Sequence, residues 1–204
     1  MNDFEKALVD FFGVVRFKKI QKTRVGVAGL GGLGSNCAAA LARSGFRLLT
    51  LCDFDTVAVG NLNRQWYFSD QLGLPKTQAL GANLLRINPD LELTLVDEKI
   101  TEVNAGKIFS GCDAVVEAFD RPECKKMLAE VFWDTRKLFV TASGLAGWGN
   151  SDALIIRQLK ENVFVVGDGL SEATRECPPC APRVMVAAAK EADIVLSWVL
   201  RSAP

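Results

Sequence analysis

Histidine is absent from the 204-residue chain. A histidine-based catalytic triad, a histidine general base and histidine metal ligation are therefore excluded. An excess of either charge is missing too: 24 Lys and Arg balance 24 Asp and Glu. The global electrostatic footprint of nucleic-acid or membrane binding is absent, so any phosphate binding has to come from local arrangement. No window approaches the roughly 18 uninterrupted apolar residues of a membrane span. The opening MNDFEKALVDFF is acidic and amphipathic rather than a basic leader with an apolar core. A cytoplasmic protein that binds neither nucleic acid nor membrane is expected.

Cysteine occurs six times, at Cys37, Cys52, Cys112, Cys124, Cys177 and Cys180. Four of these lie in helix-like or strand-like runs, where cysteine behaves as a small buried hydrophobe, so free thiols are expected. Cys177-Pro-Pro-Cys180 is a single C-x-x-C pair with nothing after it to complete a four-thiolate tetrahedron. No zinc site within the chain is expected. The prolines also spoil the helix-start setting of a redox pair.

Apolar residues make up 49% of the chain, enough for one well-buried unit. Short apolar runs alternate with helix-periodic ones. RVGVAG leads to a helix from Leu33 to Ser44, then RLLTLCDFD, a polar turn region and a helix opening near Pro75. LELTLVDEKI, a short helix in TEVNAGKIFS, CDAVVEAFD and a helix begun by Pro122 continue the pattern. Such alternation marks βαβ units and a parallel sheet. After Asn150 the texture changes: SDALIIRQL and NVFVVGD read as a hairpin turning at Lys160 to Asn162. GLSEATRECPPCAP reads as loop and RVMVAAAKEADIVLSWVL as an amphipathic terminal helix. The expected fold is α/β, a Rossmann-like doubly wound mixed sheet, mostly parallel with an antiparallel edge hairpin and a C-terminal helix. A single domain is expected over residues 1–204, including a short helical segment over about residues 1–22.

Gly29, Gly31 and Gly34 set G-x-G-x-x-G between the first strand and its helix. That context gives a tight turn, close approach of phosphate to backbone N–H groups, and a helix N-terminus carrying partial positive charge. Gly32 is one glycine more than the fingerprint requires. Asp53 ends the second strand about 20 residues past the loop, where a carboxylate accepts ribose hydroxyls. An adenosine-containing ligand fits, whether NAD or ATP.

The next segment, LCDFDTVAVGNLNRQWYFSDQLGLPK, is dense in polar side chains, and Asn61, Arg64 and Lys76 can face the mouth of the loop. A triphosphate carries about four negative charges and calls for cationic clamps and a metal, more than a dinucleotide needs. Asp120 ends the fourth strand beside the ligand crevice. It is placed either to hold magnesium or to cap the helix at Pro122.

The ordered set GxGGLG, DFDxV, NLNRQ, the lysine of LPK and INP (Ile87 to Pro89) resembles the ThiF/MoeB family, relatives of the ubiquitin-activating enzymes, from about Thr23 to Asp168. MNDFEKALVDFFG, AFD at Ala118 to Asp120, SGLAGWGN at Ser143 to Asn150 and the short length are similar to the smaller, second type of ThiF. The resemblance implies an adenylyltransferase of thiamine biosynthesis. ATP would adenylate the C-terminal glycine of a small ubiquitin-like, ThiS-like sulfur carrier, releasing pyrophosphate, in a homodimer. It also implies Gly32 against the phosphates within the loop Gly29, Gly31 and Gly34, and Asp53 on the ribose. Asn61 and Arg64 would meet the triphosphate, Lys76 the phosphates near the reacting centre, and Asp120 the magnesium. Arg64, Lys76 and Asp120 are then the catalytic set. An NAD-dependent oxidoreductase and a non-catalytic carrier-binding relative are the competing readings.

The chain departs from the family pattern in four places. The second C-x-x-C pair is absent. Cys177 is the nearest residue to the cysteine that longer members place over the site for sulfur transfer. Arg16 is the arginine in the region where R-Y-x-R-Q members reach into a partner subunit's ATP site, and that pattern is absent here. Arg121 stands where longer members usually carry Asn.

Overall fold

The computed structural model describes residues 1–201. The N-terminal segment forms two helices, α1 (Asp3–Phe12) and α2 (Val14–Lys22), separated where Gly13 takes φ 75°. Asn2 caps α1 by accepting from the Glu5 amide at 2.9 Å, which satisfies one of the otherwise orphaned first-turn donors. The helix is then tied to the INP turn. Asn2 Nδ2 donates to Asn88 Oδ1 at 2.6 Å, and Asn88 Nδ2 donates to the buried Glu5 at 3.3 Å.

The alternation continues as β1 (Arg24–Ala28), α3 (Gly32–Arg43), β2 (Leu48–Cys52), α4 (Lys76–Leu85), β3 (Glu92–Val96), α5 (Glu102–Ile108), β4 (Ala114–Glu117), α6 (Pro122–Phe132), β5 (Leu138–Ala142), β6 (Ile155–Lys160), β7 (Val163–Gly167) and α7 (Ala181–Arg201). The strands form one sheet in the order β3-β2-β1-β4-β5-β7-β6. Every neighbouring pair is parallel except β6 and β7, the antiparallel edge hairpin. The expected α/β architecture is what is found.

The strand over Leu138–Ala142 was not among the expected elements, whose order ran from the Pro122 helix straight to the hairpin. LFVTA is only five residues long and buried at four of them. Such a run has no period-2 alternation to announce it.

One face of the sheet is covered by α3 and α7, with Ala38 and Ala42 on one helix and Ala187, Ala188 and Ala192 on the other all buried in the main core. Small side chains let the two backbones approach closely. α7 therefore spends Val184, Ile194, Val195 and Val199 on core packing. The other face is filled by Phe109, Phe132 and Phe139, with Phe132 stacked on Phe139 at 6.0 Å between ring centres.

Chain order runs outward in both directions from the centre of the sheet, β1 to β3 one way and β4, β5 and β7 the other, with β6 turned back onto the edge beyond β7. The reversal between β1 and β4 opens a crevice at the C-terminal ends of those strands, where open α/β sheets bind their ligands.

Candidate functional site

The glycine loop leaves β1 at this crevice. Gly29 takes φ 88°, a conformation open to glycine and strained for other residues. Gly34 faces inward: a Cβ there would lie 1.9 Å from the Gly29 carbonyl oxygen, so α3 starts as close to β1 as a backbone allows. At Gly31 a Cβ would meet only Gln65 Nε2, at 3.9 Å, so this position faces space. Gly32 is crowded instead by protein, since its Cβ would lie 2.9 Å from Val184 of α7 and 3.4 Å from the Arg64 stem. Its missing side chain admits those two groups.

The loop is pinned from three directions. Leu30 donates its amide to Asp53 Oδ2 at 2.6 Å, and its carbonyl accepts from the buried Tyr67 hydroxyl at 2.8 Å. Ser35 Oγ donates to the Gly31 carbonyl at 2.6 Å and accepts from the Trp66 amide at 3.0 Å. Asn36 Nδ2 donates to the Gly32 carbonyl at 2.7 Å and to the Arg64 carbonyl at 2.9 Å. The NLNRQWY segment is thereby stitched to the loop and to α3. Burial, reinforced by Asp53 and Asp55, pushes the Tyr67 hydroxyl far up, so it stays a neutral donor.

Asp53 is 8% exposed, with its second oxygen accepting from the Asp55 amide at 2.8 Å. A carboxylate has about four lone-pair positions, so two remain for another donor. Lys76 opens α4 and is nearly buried, its ammonium 2.9 Å from Asp55 Oδ2. Asn61 closes a 3-10 turn and accepts from the Ala58 amide at 2.9 Å. Arg64 is half-buried, its guanidinium donating to Asn63 Oδ1 at 2.8 Å.

On the opposite wall, Ala118 donates its amide to the Ala28 carbonyl at 2.9 Å. The Ala118 carbonyl oxygen and the Phe119 ring each lie 3.1 Å from where a Gly29 Cβ would sit. Asp120 follows, exposed and without a hydrogen bond or ion pair among the described residues. It does not cap the helix. The cap residue of α6 is Arg121, which is extended (φ −92°, ψ 127°) as the residue before Pro122 must be, and no side chain caps the amides. The reading of Asp120 as a helix cap is thus corrected, and its carboxylate is unpaired among the described residues.

No cluster of three or more His, Cys, Asp or Glu able to hold a metal is found among the described residues. Magnesium is commonly held by one or two carboxylates together with substrate phosphates. A free Asp120 fits an ion that arrives on a nucleotide. Away from the crevice, the C-x-x-C segment pins the start of α7: the Pro178 carbonyl accepts from Gly147 N at 2.9 Å and the Cys180 carbonyl from Val184 N at 3.2 Å. Arg16 lies exposed on α2.

The model of the ThiF family matches residues 5–199. The chain belongs to the ThiF family. Similar ThiF-related proteins include the tRNA threonylcarbamoyladenosine dehydratase of Escherichia coli, 37% identical over 59% of this chain and 46% of that protein. Molybdopterin-synthase adenylyltransferase of Haemophilus influenzae is 35% identical over 59% of this chain and 49% of its own length. Ubiquitin-like modifier-activating enzyme 5 of Arabidopsis thaliana is 29% identical over 86% of this chain and 41% of its own. The chain spans less than half the length of these relatives. The solved structure of the E. coli dehydratase in complex with ATP superposes with a TM-score of 0.87 at 22% identity, covering 96% of this chain and 93% of that one. It shares the fold.

Several residues of this ThiF-family site are not among those picked out by motif. Tyr67, Ser35 and Asn36 act on the loop through partners up to 37 residues away, which no local spacing reveals. Glu117, fully buried at the end of β4, is another. The signal for it was there: a lone acid closing the otherwise apolar run AVVE.

Proposed function

We propose that the chain is an ATP-dependent adenylyltransferase that activates the C-terminal glycine carboxylate of a small ubiquitin-like sulfur carrier of the ThiS type, for thiamine thiazole formation, as a cytoplasmic homodimer. The observation that carries the reading is convergence at one switch point. The pinned glycine loop, Asp53 and the Asp120 turn frame a crevice that Arg64 and Lys76 can serve from the segment stitched to it. The 37% and 35% identical relatives, one of them an adenylyltransferase, support it.

A carrier carboxylate is already a nucleophile at neutral pH. Its oxygen bonds to the α-phosphorus, the bond from that phosphorus to the bridging β-phosphate oxygen breaks, and pyrophosphate leaves with the electron pair. No proton needs removing, which suits a chain without histidine. Alignment and charge neutralisation are the protein's tasks. Loop amides at Gly31 and Gly32 and the α3 N-terminus cradle phosphate, Asp53 takes the ribose hydroxyls, and Asn61 and Arg64 meet the triphosphate. Lys76 turns from Asp55 to the phosphates near the reacting centre. Asp120 would hold magnesium, which supplies charge neutralisation on the phosphates when bound.

An RNA-borne carboxylate, which the relation to a tRNA dehydratase brings to mind, is disfavoured by the balance of 24 basic and 24 acidic residues, because polyanion binding rests on cationic excess. Carrier-dependent exchange of labelled pyrophosphate into ATP tests the reading. Exchange is expected with a ThiS-like protein and not with tRNA. Arg64→Ala and Lys76→Ala are expected to lower it about a hundredfold with the fold intact. Exchange unchanged in both variants would refute the clamps, and none with any carrier would favour a non-catalytic carrier-binding relative.

A further inference from the structure

Glu117 is 0% exposed at the end of β4. Burying a carboxylate is unfavourable unless it is paired, and an apolar residue of similar volume stabilises a strand as well or better. Its partners suggest a use. Glu117 Oε1 accepts from the Phe119 amide at 2.6 Å, Lys125 Nζ lies 3.1 Å from each oxygen, and the Thr141 hydroxyl donates to Oε2. These donors come from the turn that leads to Asp120, the helix that leaves it, and the neighbouring strand. Asp120 has no bond of its own among the described residues, so its position is set by the chain on either side, and both sides end on one carboxylate.

A second buried acid stands behind this arrangement. Glu191 of α7 is 0% exposed and neither of its oxygens has a hydrogen-bond donor. Burial raises its pKa well above the ordinary value. The Lys125 charge opposes that shift and the Glu117 charge reinforces it. Lys125 makes no hydrogen bond to Glu191 and stays on both oxygens of Glu117. Burial pushes the Cys37 thiol of α3 up, and the Glu191 charge adds to that shift.

We propose that Glu117, Lys125 and Thr141 form a positioning brace that fixes the turn carrying Asp120 against the glycine loop, and so governs metal-dependent nucleotide binding without touching the nucleotide. The inference rests on the reading of Asp120 as the residue that meets magnesium.

Calorimetric titration of the whole chain with ATP, with and without magnesium, tests it. Magnesium is expected to tighten ATP binding by the unaltered protein, and Asp120→Asn to abolish that gain. Lys125→Met is expected to cut the gain about tenfold while leaving the metal-free ATP affinity unchanged. Lys125→Arg, which can still donate to both oxygens, is expected to restore it. If Lys125→Met does not fold, Thr141→Val carries the same test with a several-fold loss. A folded Lys125→Met or Thr141→Val that keeps the full magnesium gain, where Asp120→Asn loses it, would overturn the brace. An Asp120→Asn protein that keeps the gain would instead overturn the reading of Asp120, and the inference with it.

Discussion

Two carboxylates flank the glycine loop, Asp53 just beyond β2 and Glu117 at the end of β4. Each accepts from the amide two residues on, Asp55 at 2.8 Å and Phe119 at 2.6 Å. Their other partners differ. Asp53 takes a second main-chain amide, from Leu30, whereas Glu117 takes the Lys125 ammonium and the Thr141 hydroxyl. A carboxylate held by main-chain amides keeps its donors when neighbouring side chains change. One held by side chains can lose them one at a time. The β2 wall of the crevice is thus fixed by the backbone, and the β4 wall by a small set of replaceable groups.

The difference can be broken first at Lys125. Lys125→Met strips Glu117 of its paired cation and is expected to destabilise the fold by about 3 kcal/mol, the low end for a broken buried pair because the lysine is partly exposed. Lys125→Arg is expected to stay within about 1 kcal/mol of the parent in urea unfolding. On the other wall, Asp53→Asn turns an NH2 group toward one of its two amide donors. The expected cost is about 2 kcal/mol in the same measurement, together with weaker ATP binding.

Glu191 sharpens the comparison through pH, since it couples to the β4 wall through Lys125 and Glu117. Its ordinary value is 4.5 and burial raises it in the fold. Above pH 4.5 the unfolded chain releases this proton while the native chain keeps it. Stability therefore falls as pH rises from there to the raised value, by at most about 1.4 kcal/mol per pH unit, and then levels. Glu191→Gln is expected to remove that slope in thermal unfolding followed from pH 5 upward. The smallest effect is expected at Thr141→Val, about 1 kcal/mol for one hydroxyl donor lost.

The parallel half of the fold was legible because buried parallel strands read as unbroken apolar runs between helical periods. RVGVA and AVVE became β1 and β4 where expected. β5 was missed because five residues buried almost throughout carry no alternation. In the site, Gly29, Gly34 and Asp53 were legible from spacing along the chain. Tyr67 and Asn36 were not, since each matters through partners 28 to 37 residues away, whereas Glu117 left a signal in the lone acid closing AVVE that was not taken up. Gly32 was read as room for phosphate, and the close approach of Val184 from α7 could not be foreseen from its own neighbourhood in the sequence.

The most direct measurement is equilibrium binding of ATP with magnesium and, separately, of NAD to the unaltered chain. ATP with magnesium is expected to bind, with NAD failing to bind or to displace it at equal concentration. Tight NAD binding in the absence of any ATP binding would contradict a triphosphate site at the β1–β4 crevice.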